Sequence, residues 1–157
     1  MENRIRVGVL VFESERMLLV KHVDPRTGYT WWVTPGGRLK GSETIFECAE
    51  RETKEETSMK VKAGRIAYLR QFIYRQFGAN SIEIFLTCEG FEGSPSTANL
   101  KGKGADELYI KEVGFFSQRE IAGMNVLPRE LTKVVWRDHD EGFPTIRFLG
   151  IEYDEGP

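Results

Sequence analysis

Three glutamates, Glu52, Glu55 and Glu56, stand where a helix would be expected to turn an apolar stripe inward. A helix advances about 100° per residue, and on that spacing all three share a stripe with Cys48 and Met59. Side chains at i, i+3 and i+4 are neighbours, so their charges repel and lose water if the stripe is buried. A hard divalent cation would offset that cost, because Mg²⁺ prefers oxygen ligands. The spacing raises a metal site as a hypothesis, against the alternative of a charged surface helix.

The segment that carries these glutamates has the start signal of a helix. Thr44 and Glu47 have the spacing of a capping box, which predicts a helix from Thr44 to about Met59. Just before it, Pro35-Gly36-Gly37 forms a turn in which the backbone can approach a ligand closely and expose its carbonyls. A glycine turn directly upstream of a carboxylate cluster strengthens the metal hypothesis.

The rest of the chain is predicted to form strands and a few short helices. Alternation and β-branched content predict strands over residues 5–12, 16–21, 31–33, 61–76, 81–88, 107–116 and 145–153. Short helices are predicted over 118–124 and 128–137, and loops over 22–29 and 90–104. Mixed strands with a few helices predict an α/β or α+β sandwich, with helices packed on a mixed sheet.

Length and composition set the class of protein. The chain has 157 residues, of which 40% are hydrophobic and 29% charged, as expected for one soluble globular domain over 1–157. The net charge of -2 gives no general attraction to nucleic acid or to an anionic membrane. The first apolar run ends at Glu13, too early for a signal peptide or a spanning helix. Cys48 and Cys88 are expected to be buried thiols in a reducing cytosol, so we expect a cytoplasmic protein.

One set of residues resembles a known family. Gly37, Glu43 and the run 51–59, which reads Arg-Glu-Thr-Lys-Glu-Glu-Thr-Ser-Met, match the Nudix box at every charged position and at the right spacing over residues 37–59. Thr53 stands where the box usually has an aliphatic residue. Ser58 replaces the glycine that follows the helix, and serine reaches the left-handed conformation less easily than glycine.

The resemblance implies a fold and a chemistry. A Nudix fold is an α/β/α sandwich with a mixed β-sheet, and MutT-like or ADP-ribose pyrophosphatase-like members hydrolyse a nucleoside diphosphate linked to another moiety. A nucleotide sugar, an ADP-ribose-like compound or a nucleoside triphosphate would be the small-molecule substrate. The positions that match the family's motif imply that Mg²⁺ or Mn²⁺ would be held by Glu52, Glu55, Glu56 and the Gly36 carbonyl.

Two further roles follow from the same resemblance. An ion pair of Glu43 with Arg51 would position the loop against the helix. A general base lies either on the box helix or on a later loop in this family. The later candidates here are Asp106, Glu107 and Glu112, of which Glu107 is favoured.

Substrate contacts lie outside the box. A base would stack on an aromatic side chain, and phosphate would pair with a forked arginine. From the available residues we predict contacts from Trp32, Arg70 and Tyr74, although strand alternation puts most aromatic residues of this chain in the core. His22 and His139 have no partner spacing for metal binding or nucleophilic catalysis, and they are predicted to be solvated or loop histidines.

Two other interpretations stay open beside the hydrolase. A Nudix-fold regulatory module could bind nucleotide without turnover, although such modules typically lose box glutamates. An unrelated α+β domain could carry a purely structural acidic helix. We expect no membrane partner and no specific nucleic acid, and the family's habits make a homodimer compatible with the sequence.

Overall fold

A computed structural model describes residues 1–154 of the chain, and over that range it contains nine strands and four α-helices. The strands are β1 Glu2–Leu10, β2 Phe12–Glu13, β3 Arg16–Val23, β4 Thr30–Val33, β5 Gly36–Arg38, β6 Lys60–Tyr74, β7 Ala79–Glu92, β8 Ile110–Ser117 and β9 Arg147–Tyr153. The helices are α1 Ile45–Thr57, α2 Ala105–Tyr109, α3 Gln118–Ile121 and α4 Arg129–Asp140, and a 3₁₀ turn spans Ala98–Leu100. Within residues 1–154, no helix is long and apolar enough to cross a membrane.

The strands form two sheets. The first has the order β5-β1-β7-β6-β9 and is mixed, because β1 pairs with β7 and β6 with β9 in parallel, while the other pairs are antiparallel. In the second sheet β3 pairs antiparallel with β2, β4 and β8. Since β8 pairs along most of β3, the shorter strands β2 and β4 share its other edge.

Each side of the first sheet packs against a different helix. Alternation along β1 sends Val7 and Val9 into the apolar cluster that holds Cys48 and Ala49 of α1. Leu10 points the other way, into the cluster built around α4. The α4 side is completed by buried residues from several elements: Met17, Leu19, Trp32, Tyr68, Phe85, Leu131, Val135 and Trp136. The expected α/β/α sandwich with a mixed sheet is confirmed.

Helix α1 begins and ends as its sequence indicates. The Thr44 hydroxyl accepts from the Glu47 backbone N–H at 3.1 Å, and the Glu47 carboxylate accepts from the Thr44 N–H at 3.3 Å, which completes the capping box. Ser58 ends the helix with φ 63° and ψ 8°, in the left-handed region where glycine is favoured. Its hydroxyl donates to the Ser96 carbonyl at 3.0 Å, so an inter-segment hydrogen bond accompanies this conformation.

The segment 107–116 was predicted as one strand, and this prediction is wrong at its start. Residues Ala105–Tyr109 form the short helix α2, and strand β8 begins only at Ile110. Gly104, with φ 62°, turns the chain into α2 and sets the orientation of the acidic pair Asp106-Glu107 at its first turn. The predicted loops are also shorter, because β3 extends to Val23 and β7 to Glu92.

Candidate active site

Gly36 and Gly37 bring strand β5 into contact with the carboxylates of α1. A Cβ on Gly37 would lie 2.4 Å from the Glu52 carboxyl carbon, and one on Gly36 would lie 2.3 Å from the Val7 carbonyl oxygen. Both positions therefore need glycine for close approach. The Gly36 N–H donates to Glu56 Oε1 at 2.8 Å, so the strand and the helix are joined inside the site.

Arg51 ties the loop before α1 to the helix. It donates through Nε and Nη2 to the two oxygens of Glu43, at 2.9 and 2.7 Å, in the bidentate geometry of a strong charge-assisted pair. Its Nη1 donates to Glu52 Oε1 at 2.8 Å, and the Lys40 N–H donates to Glu43 at 2.8 Å. The structure therefore joins the two residues for which the sequence predicted an ion pair.

The Glu43–Arg51 pair gives a prediction for acid stability. Hydrogen bonding to Arg51 lowers the pKa of Glu43 from 4.5 to about 2. A carboxyl group with a lowered pKa in the folded state stabilises the fold above its unfolded pKa, and that contribution is lost as pH falls through the folded pKa. As the pH is lowered from 4.5 to about 2, the free energy of unfolding should therefore fall less in Glu43→Gln than in wild type.

Urea denaturation of both proteins across that pH range measures this difference. Glu13→Gln serves as the matched control, because it makes the same change at an exposed carboxylate of β2 that lies outside the Arg51 pair. If the free energy of unfolding fell equally with pH in wild type and Glu43→Gln, the stabilising role of the Glu43–Arg51 pair would be contradicted.

Three carboxylates converge beside β5. One oxygen each of Glu52, Glu55 and Asp106 lie within 4.8 Å of one another. Glu52 is only 5% exposed, and burial is the main cause that raises its pKa. The pKa of Asp106 is also raised, first by burial and then by the charge of Glu55. An all-oxygen set of mutually repelling carboxylates suits a hard divalent cation, which would favour their ionised forms.

Glu56 lies beside this trio in a more enclosed position. It is 3% exposed, and burial raises its pKa well above the ordinary value, while the Gly36 N–H acts in the opposite direction. It lines the same cavity as Glu52 and Gly36. The box glutamates predicted as metal ligands are thus neighbours, and Glu56 is the one whose carboxylate is already bound to the strand.

The carboxylate that joins the box helix from a later segment is Asp106, the neighbour of the residue favoured from sequence. Glu107 is exposed and accepts from the Gly102 N–H at 2.9 Å, outside the trio. Glu112 lies on β8, 3.9 Å from Lys21. The first turn of α2 separates Asp106 from Glu107, because adjacent helical residues point about 100° apart. The sequence predicted a strand from Glu107 onward and no helix here, so it gave no sign of the turn that separates the two carboxylates.

A cleft extends from the carboxylates. A cavity of about 360 Å³ is lined at one end by Glu52, Glu56 and Asp106, and by basic side chains on its walls. Those basic residues are Arg4, Arg6, Arg38 and Lys40. A second cavity of about 230 Å³ adjoins it, and the two share Arg6, His22, Tyr74 and Glu83. A site with carboxylates at one end and cations along the wall can hold a metal and an anionic ligand together.

The aromatic end of the cleft is built from Trp31, not from Trp32. Trp32, which the sequence predicted as a substrate contact, is 8% exposed, packs edge-on against Phe116 in the core and lines neither cavity. Trp31, on the opposite side of β4, lines the second cavity together with Phe72 and Tyr74. Neighbouring strand residues point to opposite faces, and the sequence did not show which tryptophan faces the core.

Arg70 reaches the cleft but is already paired. It is 6% exposed, its Nη1 donates to Glu83 Oε2 at 2.7 Å, and its Nη2 pairs with Glu152. Its guanidinium lies 5.0 Å from the centre of the Phe72 ring. Arg70 therefore fixes the wall of the cleft, and its guanidinium is already engaged by the two carboxylates.

Both histidines differ from their prediction. His22 lies on β3, stacks on Trp31 at 5.2 Å and lines both cavities. Burial lowers its pKa to about 4, so the ring is neutral near pH 7. His139 lies on α4 and stacks on Phe12 at 3.8 Å. The sequence placed His22 in the predicted loop over 22–29, whereas it lies on β3. The face to which its ring points is decided by the pairing of β3 with β4 and β8.

The fold and the site together define a class. Solved structures superpose on this chain as a Nudix fold: a NUDIX hydrolase from Nitrosomonas europaea has a TM-score of 0.72 at 17% identity, covering 90% of each chain. A MutT protein from Methanosarcina mazei has a TM-score of 0.67 at 23% identity, covering 92% of this chain and 97% of the other. These structures share an α/β/α sandwich with the present chain.

The chain belongs to the Nudix family, because the model of the NUDIX domain matches residues 2–138. Nudix hydrolase 6 of Arabidopsis thaliana is 31% identical over 112 residues, which cover 69% of this chain and 38% of that protein. An uncharacterized Nudix hydrolase, YvcI of Bacillus subtilis, is 37% identical over 57 residues, covering 36% of this chain and 33% of that protein. The matched segments thus span less than half the length of these relatives.

Proposed function

We propose that this protein is a metal-dependent pyrophosphohydrolase that cleaves a nucleoside diphosphate linked to a second moiety. The observation that carries the proposal is the trio Glu52, Glu55 and Asp106, within 4.8 Å of one another at the carboxylate end of the cleft. Pyrophosphate hydrolysis brings water to phosphorus against negative charge, so it needs such a site beside a cationic wall. The 8-oxo-dGDP phosphatase NUDT18 of Danio rerio, 34% identical over 53 residues, is a relative whose name describes action on a nucleoside diphosphate.

Each residue of the site has its own role in this proposal. Mg²⁺ or Mn²⁺ held by Glu52, Glu55 and Asp106 would supply charge neutralisation and lower the pKa of the attacking water. Arg51 keeps Glu52 in place while it binds Glu43, so the loop and the helix move as one unit. Glu56 binds the Gly36 N–H and fixes β5 against the helix, with the Gly36 carbonyl as the further candidate ligand. Asp106, and not Glu107, is also the later carboxylate that could accept a proton, the role for which the sequence favoured Glu107.

The rest of the cleft would hold the nucleotide. Arg6 stands where the two cavities meet, between the carboxylates and the aromatic end, and suits a phosphate or ribose contact. His22 is neutral, and its Nδ1 is buried without a hydrogen-bond partner among residues 1–154, so it can pair with a substrate hydroxyl or base edge. Trp31 and Tyr74 offer stacking surfaces for the base.

We predict a specific effect of Trp31→Ala on substrate binding. Losing one stacking surface of about 1–3 kcal/mol should raise KM about 10-fold and leave kcat within about 2-fold, because the ring lies away from the carboxylates. Phe46→Ala is the control, since Phe46 is an exposed aromatic residue of α1 outside the cleft. Steady-state kinetics would contradict the role if KM were unchanged, or if kcat fell instead.

The decisive experiment is turnover of a panel of nucleotide sugars, ADP-ribose-like compounds and nucleoside triphosphates with Mg²⁺, with Mn²⁺ and without metal. Products are identified by mass, and ¹⁸O-labelled water shows which phosphorus is attacked. Metal-dependent cleavage of a phosphoric anhydride bond supports the proposal, and the product pair names the substrate class. Tight nucleotide binding without cleavage across the panel would instead favour a regulatory module. The presence of Glu52, Glu55 and Glu56 argues against that alternative.

The domain organisation, the location and the partners of the chain belong to the same proposal. We treat residues 1–157 as one domain that acts on a small-molecule nucleotide in the cytoplasm, without a membrane or a specific nucleic acid as partner. The net charge of -2 supports the last two points, because it offers no general electrostatic attraction to polyanions.

A further inference from the structure

A row of charged side chains crosses the first sheet along the cleft. Residues paired directly across neighbouring strands point to the same face. Arg38 pairs with Arg6, Arg6 with Glu83, and Glu83 with Arg70. Arg6 and Glu83 line both cavities, whereas Arg38 lines the first and Arg70 the second. Glu83 is therefore an acidic residue among three arginines, at a place where an anionic ligand alone would favour a fourth cation.

The Glu83 carboxylate is desolvated, and one of its two oxygens has no partner. The side chain is 9% exposed, and its Oε2 accepts from Arg70 Nη1 at 2.7 Å. Within residues 1–154 no hydrogen-bond donor reaches its Oε1, and Arg70 is shared with Glu152. A desolvated carboxylate oxygen without a donor costs free energy, so an O–H or N–H group of a ligand would be favourable there. A phosphate oxygen would be repelled, because both groups are anionic.

His22 offers a second unpartnered group from the other sheet. Like Glu83 it lines both cavities, and its Nδ1 is buried without a hydrogen-bond partner among residues 1–154. The neutral ring carries one N–H and one free lone pair. A hydroxyl can donate to a carboxylate and also accept from an imidazole N–H, and two neighbouring hydroxyls suit these residues in either tautomer of the ring. Glu83 and His22 together therefore fit a diol.

The position of these two residues in the cleft corresponds to the sugar of a nucleotide. The first cavity holds the metal-site carboxylates and three basic side chains that the second lacks, so it suits the metal and the phosphates. The second cavity holds the rings of Trp31 and Phe72, which suit a base. Glu83 and His22 line both cavities and so lie between these ends, as a ribose lies between its base and its phosphates.

We propose that Glu83 is a specificity-determining residue that, with His22, binds the 2′- and 3′-hydroxyls of the substrate ribose and so selects ribonucleotides over 2′-deoxyribonucleotides. The inference rests on the proposed function, because it requires a nucleotide to lie along the cleft. Dinucleotide-binding folds use a carboxylate for the ribose 2′-hydroxyl in the same way, and this hydroxyl distinguishes ribose from deoxyribose. A deoxy substrate would leave the desolvated Oε1 of Glu83 without that donor, which is a strong source of discrimination.

Matched ribose and 2′-deoxyribose nucleotides test the inference. We measure kcat/KM for both forms of ATP, GTP, CTP and UTP, and the affinity for both forms of the four diphosphates by calorimetry. Each measurement should favour ribose by at least about 30-fold. Equal cleavage and equal binding of both forms would overturn the ribose inference alone, whereas selective binding of the ribose forms without any cleavage would overturn only the hydrolase. If no nucleotide were bound or cleaved, both would be overturned.

The variant Glu83→Gln separates ribose binding from a role in the cleft wall. Its amide oxygen can still accept from Arg70, so the preference for ribose should fall to within about 3-fold through weaker binding of the ribose form alone. If Glu83 only positioned Arg70, both forms would weaken equally, which would overturn the proposal.

Glu152→Gln is the matched control for this variant. It makes the same change at the other carboxylate that pairs with Arg70, whose side chain is 49% exposed, and it should keep the ribose preference of wild type. An equal loss of that preference in Glu152→Gln and Glu83→Gln would contradict the assignment. So would a Glu83→Gln variant that prefers a different base but discriminates ribose from deoxyribose as wild type does, because Glu83 would then bind the base edge.

Discussion

Glu52→Gln is expected to lower kcat by about 10³-fold and to weaken Mn²⁺ binding by about 10- to 100-fold, while the fold stays intact. Glu52 lies at the centre of the site: its carboxylate belongs to the trio, accepts from Arg51 at 2.8 Å and faces Gly37 at close range. Glutamine keeps the shape and one acceptor oxygen but removes the charge. Because charge is what a cation requires from this position, activity and metal affinity should fall together.

The same change should not cost stability. Burial raises the pKa of Glu52, which means that the folded protein disfavours its charged form relative to water. A neutral glutamine avoids that desolvation, so the midpoint of thermal unfolding should be equal to that of wild type or higher. Loss of activity combined with unchanged or increased stability is the signature of a residue kept for function.

Glu50→Gln is the matched control for this experiment. Glu50 lies on the same helix, and its Oε1 accepts from the Ala63 N–H at 3.1 Å, a bond that the glutamine oxygen can keep. Its activity should stay within about 3-fold of wild type. Steady-state turnover, Mn²⁺ titration by electron paramagnetic resonance and calorimetry on all three proteins complete the set. A Glu52→Gln variant that retains a tenth of wild-type kcat would exclude the proposed site.

Asp106→Asn should reduce kcat about 30-fold, and Glu107→Gln by less than about 3-fold. The two residues are adjacent in the first turn of α2, so the pair makes the same chemical change one residue apart. Asp106 lies with Glu52 and Glu55, and its charge contributes to the site. Glu107 bonds to the Gly102 N–H outside the trio, so its loss should affect only the local turn.

Measuring kcat at saturating Mg²⁺ and again at limiting Mg²⁺ separates two roles for Asp106. A metal ligand should be rescued in part by excess metal, whereas a proton acceptor should not. A larger loss for Glu107→Gln than for Asp106→Asn would restore the residue favoured from sequence and show that α2 rearranges in solution. Thermal unfolding of both variants confirms that each effect arises in the folded protein.

Features that depend on residues close together in the chain were predictable from sequence. The capping box of Thr44 and Glu47 and the inward stripe of Glu52 and Glu56 each involve residues within a few turns of one another. Local backbone geometry and helical periodicity decide such features. The box residues followed from them, and the α/β/α class followed from the family resemblance that those residues carry. The predicted turn at Gly36 and Gly37 is wrong, because these residues pair with β1 as strand β5.

Tertiary structure decided the features that depend on pairing between distant segments. The choice between Trp31 and Trp32 rests on the register of β4 against β3, because a shift of one residue exchanges the core face for the cleft face. The position of His22 depends on the same strands, and that of Asp106 on the turn at Gly104. No local pattern encodes these long-range pairings.

The sequence by itself therefore determined the carboxylate helix, its capping box and the family, since these are properties of short segments. The tertiary structure alone decided which later carboxylate joins that helix and which aromatic residues line the cleft. These depend on strand register and on the faces that the helices cover, and the free energy that selects them comes from the packing of the whole sandwich.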